Sequence, residues 1–408
     1  MHEIGLLKPL WLPGARRRDH TTLKRSDFSL VTTAKNGMRP APVQGLFFLV
    51  LLALSLPASA QRVTATLPVG SGPAALAVNP RTNKIYVANS NGSTMTVIDG
   101  ATNHTTTVTV GTHPYAVAVN LRTNKIYVAN LDSDNVTVID GVTNHTDTVS
   151  AAHFPDAVAV NPMTNKIYVA NGGSSSVTVI DGATKGSSTV DVGGQPRAVG
   201  VNPVTNRIYV ANGHSDSVTV IDGVTNRTST VSVGTNPITL VVNPVTNKVY
   251  VANNHMEKHT DNTVSVIDGV TNSATTVTVG HDPVAIAVNT VTNKIYVTNT
   301  HSNDITIIDG ATNNTSSVEA GNDPFAAAVN TLTNKIYVAN QFSNSVMVLD
   351  GSTKRSSSLT VGIHPQALAV NQVTNKVYVV NYDDNTVTVI DGAKKSNRPT
   401  IQRSHQPK

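Results

Sequence analysis

Apolar and polar residues alternate with a period of two along most of the chain, in short runs separated by Asn, Asp, Gly and Thr. In one stretch Tyr115 to Asn120 (YAVAVN) alternates, Leu121-Arg122-Thr123-Asn124 interrupts it, and Lys125 to Asn130 (KIYVAN) resumes it. Val136 to Asp140 (VTVID) forms a third run, and Gly141-Val142-Thr143-Asn144 leads into a fourth, Asp147 to Ser150. Runs of Val, Ile and Thr bounded by turn formers predict four antiparallel strands, with the Asp-Gly pair supplying the positive φ of a tight turn. No window has the spacing of an amphipathic helix.

This four-run unit recurs. Thr-Asn-Lys/Arg-Ile/Val-Tyr-Val places its Tyr at 86, 127, 168, 209, 250, 296, 337 and 378, a step of 41 residues with one of 46, which makes eight units. A single unit of this length cannot bury both faces of its sheet, so the copies must stack, in a line or around a ring. The ends of the array favour a ring. A lone fourth-type strand, Val63 to Val69, precedes the first unit, and the last unit stops after its third strand at Asp391. Pairing the two completes the last unit and leaves no open edge, whereas a linear array would want polar capping units at both ends. The prediction is therefore an all-β fold, a β-propeller of eight four-stranded blades closed by its N-terminal strand. Seven blades with a spare unit is the alternative.

The segments KIYVAN, KVYVAN, RIYVAN, KIYVTN and KVYVVN, together with VIDG and VG-x-x-P, resemble the YVTN-type β-propeller repeat of cell-surface and surface-layer proteins and of YncE-like periplasmic propellers. The resemblance spans residues 63 to 392. It implies a propeller scaffold in an exported protein and leaves the function to whatever site the scaffold carries.

Composition changes this picture at the two ends of the chain. Residues 46 to 56 (LFFLVLLALSL) are apolar but too few for a stable membrane span, and Ala58-Ser59-Ala60 follows as a small-residue cleavage site. Residues 1–60 are read as a leader with a signal peptide, Met38 as its expected start and Gln61 as the first mature residue; an uncleaved anchor is the alternative. Residues 61–392 then form a single propeller and 393–408 a basic, flexible tail. Expected localisation is periplasmic, secreted or at the cell surface, as a monomer with no transmembrane anchor after processing. Without the leader the chain has 22 Lys/Arg and 22 Asp/Glu, so its basic pI belongs to the leader and no nucleic-acid partner is expected. The absence of Cys excludes disulfides, thiolate metal sites and Cys-linked haem.

Comparison of the units with one another locates the candidate site. The turns after the first and third strands hardly vary, whereas the connections after the second and fourth do, and those two emerge on one face with the starts of the inner strands. Just before and after the Pro that opens each inner strand the residues differ from unit to unit in size and charge. His113, Tyr115, Asp156, Gln195, Arg197, Asp282, Asp323, Phe325, His364 and Gln366 are taken from these positions as a ligand-binding set at the channel mouth. The plain alternative is that unconstrained loop residues drift.

Eight of the ten His between 61 and 392 fall in the variable connections. The one insertion, in unit five, places His255, Glu257 and His259 at alternate positions, where an extended loop would direct them to a divalent metal such as zinc; an incidental polar loop is the alternative. Asn130, Asp132 and Asp134 alternate as calcium ligands do, without the Gly and distal Glu of a helix-loop-helix site. No Gly-x-Ser-x-Gly, phosphate loop or haem motif is present. The expectation is a noncatalytic scaffold that binds a protein, glycan or cell-surface component, with no cofactor unless a divalent metal. The alternative is a lactonase-like hydrolase or metal-dependent enzyme at the same mouth.

Overall fold

The four runs become strands with little change of boundary: Pro114–Asn120, Lys125–Asn130, Asn135–Asp140 and Thr146–Ser150 in the second unit. In this computed structural model, which describes residues 61–254 and 262–392, eight such four-stranded antiparallel sheets are present. The blades are eight, and seven with a spare unit is excluded. Each inner strand packs beside the next in sequence order, and Pro365–Asn371 of blade 8 packs beside Pro73–Asn79 of blade 1. Arg62–Pro68 pairs with Thr386–Asp391 as the outer strand of blade 8, which closes the ring as expected. The expected leader, cleavage site and tail lie outside the described residues.

The core sits between blades. Tyr86, Ala88, Met95 and Val97 of blade 1 pack on Ile126, Val128 and Ile139 of blade 2. At the closure, Tyr378, Val380, Val387 and Val389 pack on Ile85, Val87 and Ile98, with Ala65, Leu67 and Val69 of the closing strand against them. All eight repeated Tyr are fully buried. Burial lifts the hydroxyl of Tyr378 to about 12, and the Asp99 carboxylate of blade 1 adds to the effect.

A belt of amides ties the blades together at the end where the inner strands finish. The Nδ2 of each last inner-strand Asn donates to Oδ1 of an Asn in the following blade, as Asn79 does to Asn124 at 2.7 Å and Asn202 to Asn247 at 2.7 Å. The same Asn accepts the backbone N–H groups of its own turn: Asn202 Oδ1 takes those of Val204 and Thr205.

The glycine of Asp-Gly does not have the positive φ expected of it. In those turns the left-handed residue is the fourth beyond Asp, such as Asn103, Asn144 and Lys185. Glycine is there because of crowding: a Cβ on Gly100 would lie 2.5 Å from Asn83 Oδ1 and 2.7 Å from Tyr378 Oη.

Candidate functional site

The start of every inner strand has the same unusual backbone. The residue before the Pro is left-handed, including His113 (φ 56), Phe154 (φ 54), Gln195 (φ 52), Asp282 (φ 54), Asp323 (φ 57) and His364 (φ 58). Left-handed backbone is uncommon for such residues and needs support from its surroundings. Here the support is a bond from the connection after the second strand: Leu131 N–H donates to the His113 carbonyl at 2.9 Å, Gly213 N–H to Gln195 at 2.9 Å and Tyr382 N–H to His364 at 3.0 Å. The two variable connections therefore meet on one face. The residue after the Pro is the extra residue of a β-bulge in all eight blades, among them Tyr115, Asp156, Arg197, Phe325 and Gln366. A bulge takes its residue out of the strand register and re-aims the side chain.

In blades 2 to 4 this brings Tyr115, Asp156 and Arg197 within electrostatic reach of one another. Gln195 Oε1 accepts two bonds from Arg197, from Nε at 3.1 Å and Nη2 at 2.9 Å, so the guanidinium is fixed by a neutral partner. Gly213 makes room for it, since a Cβ there would come within 2.9 Å of Arg197 Nε. Burial pushes the Asp156 carboxyl up to about 6, with Arg197 opposing. Burial also raises the Tyr115 hydroxyl; Asp156 adds to that rise and Arg197 opposes it. The His113 ring meets the Tyr115 ring edge-on at 6.0 Å and bonds to Asp132 at 3.2 Å. His153 stacks on Phe154 at 3.9 Å and bonds to Asp134 at 2.9 Å. Asp132 and Asp134 thus serve histidines of two different blades, and the calcium-like alternation of Asn130, Asp132 and Asp134 does not converge on one point.

In blades 6 to 8 a second group forms. The buried Asp282 carboxylate pairs with His301 Nδ1 at 2.5 Å. Burial raises the Asp323 carboxyl, with His301 and His364 opposing. His364 bonds to Asp383 at 3.1 Å and lies 6.1 Å from the rings of both Phe342 and Tyr382. Tyr382 Oη accepts from Asn91 of blade 1 at 3.2 Å. Phe325 and Gln366 open the inner strands of blades 7 and 8, each half-buried.

All ten predicted mouth residues lie on this face, in these two groups. Sequence reasoning missed Phe342, Tyr382, Asp383 and the pairing role of His301. One signal was available: four His–Asp pairs, 113 with 132, 134 with 153, 282 with 301 and 364 with 383, all share a separation of 19 residues. Another is that every described aromatic residue outside the repeated Tyr belongs to this face, namely Tyr115, Phe154, Phe325, Phe342 and Tyr382. Charge is sorted too. Eleven of the twenty described carboxylates stand at this end of the blades, against one of the sixteen described Lys/Arg, Arg197. Among the described residues no three His, Asp or Glu come together as a metal site; His255, Glu257 and His259 lie outside the described residues.

These features define the class, an eight-bladed β-propeller with an acidic, aromatic face at one end of its ring. No family model matches the sequence, and no curated protein does. Among solved structures the chain is similar to hydrazine synthase of Kuenenia stuttgartiensis, with a TM-score of 0.57 and 20% identity over 82% of this chain and 98% of that one. It is also similar to Sqt1 of Saccharomyces cerevisiae, with a TM-score of 0.69 and 10% identity over 81% of this chain and 98% of that one. At such identities the likeness is one of fold.

Proposed function

We propose that the chain is an exported, noncatalytic binding propeller that takes a basic segment of a protein partner on its varied face. The observation that carries this reading is the sorting of side chains between the two ends of the blades: eleven carboxylates and five aromatic rings against one arginine. A Lys- or Arg-rich segment meets such a surface through ion pairs and cation–aromatic contacts, and the field of the face speeds its arrival. A glycan would use the rings but gain little from the excess of carboxylates over basic side chains. The resemblance to the YVTN-type repeat of cell-surface proteins supports the reading, and the apolar run before Ala58-Ser59-Ala60 supports export.

The test uses a labelled arginine-rich peptide and the triple variant Tyr115→Ala, Arg197→Ala, Phe325→Ala. That variant makes the face more acidic, so attraction by charge alone would strengthen binding. Loss of binding is the expected result, because the rings of Tyr115 and Phe325 supply the cation–aromatic and apolar contacts that hold the peptide once charge has brought it in. Lys125→Ala, Lys166→Ala and Lys294→Ala at the opposite end form the control. Undiminished binding by the triple variant overturns the reading.

One observation favours a second reading. An Asp156 carboxyl held near 6 beside Tyr115 and Arg197 has the poise of a general acid or base, as a lactonase-like hydrolase at the mouth would need. Turnover of lactone or ester substrates that Asp156→Asn abolishes would favour it over the binding module.

A further inference from the structure

The eight turns that follow the inner strands share one hydrogen-bonding scheme, and the third residue counted from the strand's last Asn is solvent-facing. In blades 1 and 2 it is Arg81 and Arg122; in blades 3 to 8 it is Met163, Val204, Val245, Val291, Leu332 and Val373. The turn itself does not require an apolar residue there. Arg81 N–H reaches Asn79 Oδ1 at 3.1 Å just as Val204 N–H reaches Asn202 Oδ1 at 3.0 Å. Yet six successive blades hold an apolar side chain in solvent, from 56% exposed at Leu332 to 76% at Val204. Because the inner strands stand side by side in sequence order, the six form one arc around the channel end opposite the acidic face, and the two Arg complete the ring. A row of exposed apolar side chains on successive blades, with nothing in the turn that requires them, marks a contact site.

Charge decides the kind of contact. Fifteen of the sixteen described Lys/Arg stand at this end, against nine of the twenty carboxylates. The chain also leaves the described fold here, at Gly392, whose N–H donates to the Asn375 carbonyl at 2.9 Å. The sixteen residues that follow include Lys394, Lys395, Arg398, Arg403 and Lys408 and no acid. We infer that this face docks on an anionic lipid surface, with the apolar arc entering the headgroup region and Arg81, Arg122 and the other basic side chains of this end meeting the lipid charge. Stable peripheral attachment needs two signals, and apolar insertion joined to a basic surface supplies both. A second copy of the chain fits the face less well, since it would bring two arginine pairs and two sets of basic side chains together, like charge against like. The inference is independent of what occupies the acidic face, which docking would leave pointing away from the lipid.

Residues 61–408 are the form to test, because their ring closes on its own strands and they omit the apolar run of residues 46–56. They are mixed with phosphatidylcholine vesicles made with or without phosphatidylglycerol, and the vesicles are sedimented. The protein is expected to sediment with the phosphatidylglycerol vesicles and to be released by high salt. Val204→Asp, Val245→Asp and Val291→Asp together are expected to weaken binding by at least about tenfold, since each removes buried apolar area and adds a like charge to the lipid's. The shape-preserving Val→Thr triple at the same positions, with an unchanged melting temperature, is expected to weaken it several-fold and guards against a folding defect. No preference for phosphatidylglycerol vesicles, or both triples binding as the unmodified protein does, overturns the inference. So does a dimer in sedimentation equilibrium that the Asp triple splits, which would give the arc to a second copy instead.

Discussion

Asn371 of blade 8 donates its Nδ2 to Oδ1 of Asn83 in blade 1 at 2.8 Å, joining residues 288 apart in sequence. It is the last link of the amide belt and has the same geometry as the links between successive blades, so the seam of the ring is built like every other blade junction. Each such Asn is fully buried, donates across the junction and accepts from its own turn. A buried amide that loses its partner carries the whole cost of its desolvation.

Asn202→Ala is therefore expected to lower stability by about 1 to 3 kcal/mol, because it orphans Asn247 Oδ1 and the N–H groups of Val204 and Thr205 together. Thermal unfolding followed by circular dichroism reads this. A melting temperature equal to that of the unmodified protein would mean that water replaces the belt without loss.

Deleting residues 61–70 removes the strand that pairs with Thr386–Asp391 and takes Ala65, Leu67 and Val69 from the core at the seam. An exposed ladder edge and an open apolar cluster follow, so both a large drop in melting temperature and a tendency to aggregate are expected. Light scattering and calorimetry on the truncated chain check the two effects, and an unaltered melt would show that the ring does not depend on its closing strand.

Gly100→Ala separates crowding from backbone strain. Its Cβ would press on Asn83 Oδ1 and Tyr378 Oη, and overpacking of that kind costs about 1 to 3 kcal/mol. Gly186 is the matched site, because its Cβ would meet only Thr184 Oγ1, at 3.3 Å. Gly186→Ala should be neutral or stabilising by a few tenths of a kcal/mol, through the unfolded chain. Equal losses at the two glycines would contradict the crowding explanation.

The strands, the eight blades and the closing strand were legible because period-two alternation and a repeat of fixed length report directly on which faces are buried. The role of Gly100 was not, since glycine preference looks the same whether φ or a neighbouring Asn side chain enforces it. The mouth residues were found because eight aligned units expose their own variable positions. Asp383, Phe342 and Tyr382 escaped because they reach the mouth only through the left-handed residue before each Pro, which turns its carbonyl toward the connection after the second strand. The acidity of the mouth escaped for another reason. Net charge sums over both ends of a blade, and the two ends here have opposite signs.

Low pH should destabilise the protein in a defined window. Thr143 and Val142 N–H groups hold the Asp140 carboxyl down to about 2, and Lys294, with Ala311 and Thr312 N–H groups, does the same for Asp309, against an ordinary value of 3.8. Asp99, Asp181, Asp222, Asp268 and Asp350 are lowered as well. A depressed folded pKa means that the stabilisation is complete above the unfolded value and is lost as pH falls through the folded one. Melting temperature should therefore fall between about pH 4 and pH 2, by a small amount for each exposed carboxylate and additively over the seven as they lose their partners together. Asp140→Asn should flatten the fall slightly, and an acid transition of undiminished steepness when several of the seven are changed to Asn would assign it elsewhere.

Asp156 acts with the opposite sign and in a different window. Its folded pKa is raised to about 6, so the folded state favours the neutral acid, and the contribution to stability is greatest below the unfolded value of 3.8 and is lost as pH rises through 6. The loss comes from holding a carboxylate at the half-buried bulge position, where Arg197 recovers only part of the hydration given up. In Asp156→Asn there is no charge to bury. The variant should match the unmodified protein at pH 4, diverge from it between pH 4 and pH 6, and be more stable above pH 6 by roughly 1 to 3 kcal/mol, the free energy of a shift of this size. Because the turn carboxylates titrate below pH 4 and Asp156 above it, melts at closely spaced pH values resolve the two effects in one series. A variant less stable than the parent at pH 7 would mean that the Arg197–Asp156 attraction exceeds the cost of burial, and that the mouth holds its carboxylate charged.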